Sequence, residues 1–304
     1  MFVSLIIINY NGAELLPRCC EALARTEYAP YELIVVDNAS VDGSLEYLAH
    51  AQSQVRVIAN RENLGFGRAC NQGAAAAQGD LLLFLNPDVV VTPGWLAALV
   101  ANLAASPDAA IICPSTLYPD QPPPDAPAPV EEQAAVPGAA LAVRRAAWEQ
   151  IGGFDEQMFL YWEDVELCWR AWLLGWRVLA DLRAVVYHDR GGSAGGRRWD
   201  AEQTKNGLYT HLKLMRWRRV LPFAALLALK TAAKLAIWRD PAVLGAWAWN
   251  LRHLGLTLAQ RRNLLARRRI DPASLERRID AHTRRQKRER RERRRHLRKR
   301  TSNQ

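Results

Sequence analysis

Apolar residues in the first two thirds of the chain come in short unbroken runs. Val3 to Ile8, Leu33 to Val36, Val55 to Ala59 and Leu81 to Leu85 have the β-branched or leucine-rich make-up of strands covered on both faces. Between and after them, Ala13 to Ala24, Val41 to Ala51, Phe66 to Ala77 and Pro93 to Ala104 carry helical patterns. Asp37-Asn38-Ala39-Ser40 and Thr92-Pro93 offer cap and first-turn chemistry. Alternation of this kind predicts an α/β domain built on a parallel sheet. Residues 114 to 137 hold eight prolines, which predicts an irregular surface loop near the acceptor of whatever chemistry the domain performs. Further on, Glu163-Asp164 opens a helix-like stretch from Val165 to Leu174.

Charge divides the 304 residues unevenly. Residues 1 to 204 carry thirteen arginines, no lysine and twenty-five acids, a net −12, whereas residues 205 to 304 carry a net +22. This predicts two functional regions, an α/β front domain over residues 1–215 and a basic rear made of amphipathic membrane-associating helices over 216–270 and a basic helical or disordered tail over 271–304. A front region of that size is ordinary for one α/β domain. Met1-Phe2 runs straight into the first strand pattern, an arrangement that predicts no secretory signal and a cytosolic domain. The five cysteines include no Cys-x-x-Cys pair and read as buried thiols rather than a disulfide frame or zinc site.

Polar side chains crowd the strand ends. Asn9-Tyr10-Asn11-Gly12 follows the first strand and Asp37-Asn38-Ala39-Ser40 the second. Each alone is compatible with simple turn chemistry; together they favour a nucleotide pocket, in which an acid accepts from ribose or base while Asn and backbone N–H groups donate. Gly65-x-Gly67-x-x-Cys70 resembles a dinucleotide fingerprint, but its third glycine is a cysteine and it follows the third strand, so a nicotinamide site is rejected. A close backbone approach to a donor nucleotide, with Asn63 and Gly65 in the loop and Asn71 aimed inward, fits better. Asp88, in Leu85-Asn86-Pro87-Asp88, sits at the carboxyl edge of a strand, where open α/β sheets bind ligands. Such an acid can hold Mg²⁺ or Mn²⁺ against a diphosphate, and His188 is a second candidate ligand. Glu163 and Asp164 either complement a helix N-terminus or remove a proton from a reacting group.

Ile8-Asn9-Tyr10-Asn11, Val36-Asp37-Asn38-Ala39-Ser40, Asn63-Leu64-Gly65-Phe66, Leu85-Asn86-Pro87-Asp88 and the stretch from Tyr161 to Arg170 stand in one order. That ordered set resembles the family 2 glycosyltransferases, of rhamnosyltransferase type, over residues 3 to 215. The resemblance implies the A-type glycosyltransferase fold, a Rossmann-like nucleotide-diphospho-sugar transferase domain, followed here by a basic α-helical C-terminal region. It implies that Asp37 binds the donor base or ribose, with Asn9, Tyr10, Asn11, Asn38, Ser40, Asn63, Gly65, Asn71 and Asn86 around the nucleotide-sugar. It implies that Asp88 is the metal-binding acid of an Asp-x-Asp motif whose first acid is here Asn86. His188-Asp189-Arg190-Gly191-Gly192-Ser193 resembles the family's His-x-x-Gly-x-Ser stretch, which supports His188 as a metal ligand. Asp164 corresponds to the catalytic base, with Glu163 orienting the acceptor and Trp162 stacking on it. The implied reaction is inverting transfer, with L-rhamnose from dTDP-L-rhamnose as the expected donor and a lipid-linked or surface glycan as acceptor. A catalytically silent nucleotide-sugar-binding subunit is the rival.

The rear third bears on location. Val220 to Trp238 is apolar except for Lys230, Thr231 and Lys234. Each mid-span lysine costs about 2.5 to 3.5 kcal/mol on an insertion scale, against about 0.3 to 0.6 gained per large aliphatic residue. The prediction is an interfacial helix with both lysines on one face and Trp217 and Trp238 near its ends, and a second such helix from Val243 to Leu265. Twelve basic residues follow Ala281 with no aromatic among them. An anionic membrane surface is therefore favoured over nucleic acid as the partner, with the enzyme cytoplasmic and peripheral on the inner face of the cell membrane.

Overall fold

The computed structural model describes residues 1–51, 55–122, 130–188, 197–238 and 241–301. Its front part alternates β1 (Val3–Asn9), α1 (Leu16–Leu23), β2 (Tyr31–Asp37), α2 (Ser44–Ala51), β3 (Val55–Ala59), α3 (Phe66–Ala76) and β4 (Leu81–Leu85). These four strands pair in parallel in the order β3, β2, β1, β4.

Beyond β4 the sheet departs from the all-parallel expectation. After β5 (Val89–Val91), α4 (Trp95–Ala104), β6 (Ala109–Leu117) and β7 (Val130–Glu132), the strand β8 (Ala140–Arg144) returns antiparallel beside β4. Then come α5 (Arg145–Ile151), α6 (Glu163–Leu173) and the long β9 (Arg177–His188), which runs parallel to β6 and antiparallel to β5 and β7. The nine-stranded sheet is thus mixed. The proline-rich stretch is also more ordered than expected. β6 continues through Pro114 to Leu117, with a register shift against β9 between Pro114 and Ser115, a bulge of the kind that accommodates a residue without an N–H. Residues 123–129 lie outside the described set.

Two helix starts differ from the sequence reading for identifiable reasons. Thr92 does not cap α4; its hydroxyl donates to the Val185 carbonyl at 2.8 Å, tying the β5–α4 turn to β9. The Asp37–Ser40 segment closes on itself, and Asp42 instead accepts from the Ser44 N–H at 3.2 Å and from the Ala13 N–H at 2.8 Å.

Each sheet face carries its own core. One face packs Leu16, Trp95 and Leu99 from α1 and α4; the other packs Phe84, Trp148, Phe154 and Trp172 against α3, α5 and α6. The C-terminal helices are α7 (Arg197–Leu214), α8 (Trp217–Trp238), α9 (Ala242–Arg252), α10 (Leu254–Arg267) and α11 (Pro272–Thr301). The single helix expected from Val243 to Leu265 is broken at His253. Leu214, Met215, Val220, Leu264, Leu275 and Ile279 join the same core as Trp172. Full burial of such a side chain contributes about 1.5–3 kcal/mol, so the C-terminal helices stabilise the α6 face of the sheet. The first half of α11 is held there by charge as well: Arg278 lies 4.0 Å over the Trp172 ring and pairs with Glu132, and Arg285 pairs with Glu131.

Candidate functional site

The parallel register sets Asn9 beside Asp37 at the carboxyl ends of β1 and β2. The Asn9 amide donates to Asp37 Oδ1 at 2.7 Å and to Ser40 Oγ at 3.1 Å. Asp37 also accepts from the Ser40 hydroxyl at 2.6 Å and the Ser40 N–H at 2.9 Å, and is fully buried. Asn11, at φ 50°, donates its N–H to Ser40 Oγ and accepts from the Val41 N–H. Tyr10 is exposed beside them. The Asn38 amide donates to the Gly65 carbonyl at 3.2 Å and accepts from Asn60 at 2.9 Å, while Asn63 Oδ1 accepts from the Gly65 N–H. Gly65 has φ +83°, and a Cβ there would lie 2.4 Å from the Phe159 carbonyl oxygen. Only glycine permits this approach between the α3 entrance and the segment that leads to α6.

One expected pocket residue faces elsewhere. Asn71 does not aim inward at a nucleotide; its amide donates to the Phe154 carbonyl at 3.0 Å and accepts from the Phe154 N–H at 2.9 Å. From the middle of α3 it reaches the loop after α5, and its hydrogen-bonding groups are engaged there.

Asp88 and His188 meet because β5 pairs antiparallel with the end of β9, with Val89 opposite His188. His188 Nε2 lies 3.1 Å from Asp88 Oδ2, and Asp88 Oδ1 is buried without a protein partner. An acceptor oxygen left unpaired and an imidazole nitrogen beside it form a donor set that fits a divalent cation completed by substrate oxygens. Among the described residues no cluster of three or more His, Cys, Asp or Glu supplies a fuller cage. The half-buried Asn86, where a second acid would stand, anchors its N–H on the Ala139 carbonyl at 3.0 Å. Residues 189–196, which complete the expected His-x-x-Gly-x-Ser stretch, lie outside the described residues.

The acid pair opens α6. Glu163 is buried with Oε2 unpartnered. Burial, and secondarily the Asp164 charge, pushes it up to about 8. Asp164 is also raised by burial, against two backbone donors that favour its ionised form. Those donors are Gly138 N–H to Oδ2 at 2.9 Å and Val165 N–H to Oδ1 at 2.7 Å. Two adjacent buried carboxyls that differ in this way in their backbone donors divide their roles. Two N–H donors on Asp164 and none on the buried Glu163 Oε2 place the negative charge of the pair on Asp164 and the proton on Glu163, and burial makes Asp164 more basic than an exposed carboxylate. Trp162 is half-buried and met edge-on by Trp169 and His211, which leaves only its exposed part for stacking.

Gly138 was not foreseen; nothing in its proline-flanked sequence marks it as a partner of Asp164. The network behind the acids was equally hidden. Glu166 takes two hydrogen bonds from Arg170 (2.7 and 2.6 Å) and one from Lys213 (2.7 Å), and Lys213 also pairs with Asp155. It locks α6 to α7 rather than complementing a helix end.

The raised Glu163 has a consequence for stability. The folded state keeps a proton that the unfolded state releases at its ordinary value near 4.5. Stability therefore falls as pH rises between about 4.5 and about 8, with a slope of at most about 1.4 kcal/mol per pH unit from this group. Glu163→Gln should gain stability relative to the native protein between pH 5 and pH 8 in thermal melts. Parallel Tm–pH curves for the two proteins would contradict the buried, protonated Glu163.

Known proteins resemble this chain in sequence and in fold. The family described as "Glycosyl transferase family 2" matches residues 4–179. An N-acetylglucosaminyl-diphospho-decaprenol L-rhamnosyltransferase of Mycobacterium tuberculosis is 28% identical over 235 residues, covering 62% of this chain and 76% of that protein. Among solved structures, GalNAc-T7 with UDP, GalNAc and Mn²⁺ superposes with TM-score 0.60 at 18% identity, over 72% of this chain and about half (49%) of its own. The mannosyltransferase PcManGT of Pyrobaculum calidifontis, in complex with GDP-Man and Mn²⁺, gives TM-score 0.56 at 19% identity, over 92% of this chain and 86% of its own. At these identities the structural likeness speaks to the fold, that of the A-type glycosyltransferases.

Proposed function

The chain belongs to glycosyl transferase family 2 and is a glycosyltransferase; on that premise we propose that it transfers L-rhamnose from dTDP-L-rhamnose, with inversion, to a polyprenyl-diphosphate-linked glycan of the cell envelope. The observation that carries this reading is the division of labour between the two acidic centres. Asp164, held by the Gly138 and Val165 N–H groups, removes the proton from the attacking acceptor hydroxyl, while neutral Glu163 beside it can donate a hydrogen bond that orients the acceptor. Asn9, Asp37 and Ser40 form the floor under the nucleotide, and the Asn63–Gly65 loop closes on it. Asp88 and His188 would hold Mg²⁺ or Mn²⁺, which when bound neutralises charge on the departing diphosphate. In-line displacement at the anomeric carbon needs no covalent enzyme intermediate. The L-rhamnosyl group and the polyprenyl-linked acceptor are supported by the 28% identical rhamnosyltransferase, and a divalent cation by the Mn²⁺ complexes of the structural neighbours. Calorimetric titration of dTDP-, UDP- and GDP-sugars in the presence of Mg²⁺ tests the donor; dTDP-L-rhamnose should bind tightest.

Membrane attachment rests on α8. The stretch Trp217–Ile237 is long and apolar enough to cross a membrane, with mean hydropathy 1.7, yet only 11% of it is buried. Its inner stripe docks on the protein through Val220, Thr231, which accepts from Trp247 Nε1 at 3.0 Å, and Lys234, which pairs with Asp200 at 2.9 Å. Its outer face presents Leu221, Leu226, Leu229 and Ile237, where a helix facing water would be polar. A helix held along the body of the protein, apolar side out, suits a protein lying on the inner surface of the cell membrane. The basic residues late in α11 add attraction to anionic lipid. Replacing these four aliphatic residues by Ser should lower co-sedimentation with phosphatidylglycerol vesicles at least tenfold, and high salt should weaken binding of the unaltered protein without abolishing it. Equal partitioning of the two proteins would contradict this surface.

A further inference from the structure

The two residues that lead into the acid pair stand in a conformation that ordinary side chains rarely adopt. Tyr161 has φ +69° and Trp162 φ +75°, consecutive and neither a glycine. A backbone held this way persists only where its surroundings over-determine it. Here the surroundings come from α7, which begins at Arg197, beyond the 4–179 segment that the family description matches. Asn206, fully buried, donates from its one amide nitrogen to the Leu160 carbonyl at 3.0 Å and the Tyr161 carbonyl at 2.8 Å. One turn of contacts follows along the same helix. A Cβ at Gly207 would lie 3.2 Å from the Trp162 ring, so that ring packs close against α7. His211, its Nδ1 2.8 Å from the Gly207 carbonyl, meets Trp162 edge-on at 5.6 Å and stacks on Phe223 of α8 at 3.6 Å and 5°. The Trp162 carbonyl in turn accepts the Glu166 N–H at 2.8 Å, the first hydrogen bond of α6. The direction in which Glu163 and Asp164 enter α6 is thus set by a turn whose carbonyls are held by α7.

We infer that Asn206 is a positioning residue, which holds the left-handed Tyr161–Trp162 turn through two main-chain carbonyls and thereby aims Glu163 and Asp164 at the acceptor. It is fully buried, and it acts through the turn. The inference rests on the reading of Asp164 as the base. A displacement of about 1 Å at a reacting group costs about 10²-fold in rate, whereas the donor floor formed by Asn9, Asp37 and Ser40 lies on other strand ends and keeps its geometry.

The test is a kcat-against-binding split, measured with dTDP-L-rhamnose and N-acetylglucosaminyl-diphospho-polyprenol. Asn206→Ala and the isosteric Asn206→Asp, which fills the same space without the amide donor, should each lower kcat about 10²-fold while the donor Kd stays within twofold. Thr210→Ala, a truncation at a fully buried position one turn further along α7, serves as the packing control and should leave kcat near the native value. Should the alanine variant fail to fold, the aspartate variant is read in its place. The inference is overturned if a folded Asn206 variant turns over at the native rate, if kcat and donor affinity fall by the same factor, or if Thr210→Ala loses as much kcat as Asn206→Ala. Asp164→Asn, assayed alongside, separates the two levels. An inactive Asp164→Asn with a fully active Asn206→Ala sinks the positioning role alone, whereas near-native rates in both sink the base assignment beneath it.

Discussion

Asp164→Asn is expected to lower sugar transfer by about 10² to 10⁴-fold and to leave donor binding largely intact. The amide is nearly isosteric, but its one oxygen can accept from only one of the Gly138 and Val165 N–H groups that hold the native carboxylate at 2.9 and 2.7 Å, and its NH2 faces the other. What it lacks is the basicity that burial raises in the native group. A sugar hydroxyl attacks poorly until its proton is being removed, and no other described carboxyl near this point is free to do so. Glu163 is held protonated by burial and by the Asp164 charge, and Glu166 is tied to Arg170 and Lys213. Single-turnover transfer and calorimetric donor titration on one preparation separate the two effects. A variant that transfers sugar at near-native rate would remove Asp164 from the mechanism.

Asp88→Ala is expected to abolish cation-dependent donor binding and to reduce transfer by about 10² to 10³-fold, the range seen when one preorganised electrostatic contact to a developing charge is removed. His188→Ala should act in the same direction, because the β5–β9 register makes the two side chains neighbours. Excess EDTA should reproduce the loss in the native protein, and added Mg²⁺ or Mn²⁺ should reverse it. With Asn86 in place of a second acid, the site carries one negative charge fewer, so a weak cation requirement, saturating only at high concentration, is the expected form of the titration. Full activity in EDTA would leave Asp88 a turn residue paired with His188.

Much of the parallel half of the fold was legible because its determinants are local. Unbroken apolar runs ended in short polar segments, and the parallel register then forced Asn9 against Asp37. The antiparallel return of β8 was not legible, since it depends on pairing between residues 81–85 and 140–144 that no local pattern encodes. It is also what brings Gly138 to Asp164. Asn71 was misread for a related reason. Helical spacing places it on a face of α3, but which neighbour that face meets is decided by the loop after α5. Asn206 lies in a polar stretch with no motif around it, and only the carbonyls it holds reveal its role. The lysines of α8 were read as sharing one face, yet Lys234 turns in to Asp200 while Lys230 stays exposed. The outer face is consequently more apolar than composition alone conveyed.

The central claim is transfer of one sugar from a nucleotide diphosphate to a polyprenyl-linked acceptor. Its most direct test is incubation of the purified protein and Mg²⁺ with dTDP-L-rhamnose and N-acetylglucosaminyl-diphospho-polyprenol, followed by mass spectrometry and anomeric assignment of the product. The account predicts an acceptor heavier by one deoxyhexose residue, formed with inversion at the anomeric carbon and absent with Asp164→Asn. Nucleotide-sugar binding without transfer to any acceptor, across UDP-, dTDP- and GDP-sugars, would contradict it and leave the protein a nucleotide-sugar-binding subunit that performs no chemistry of its own.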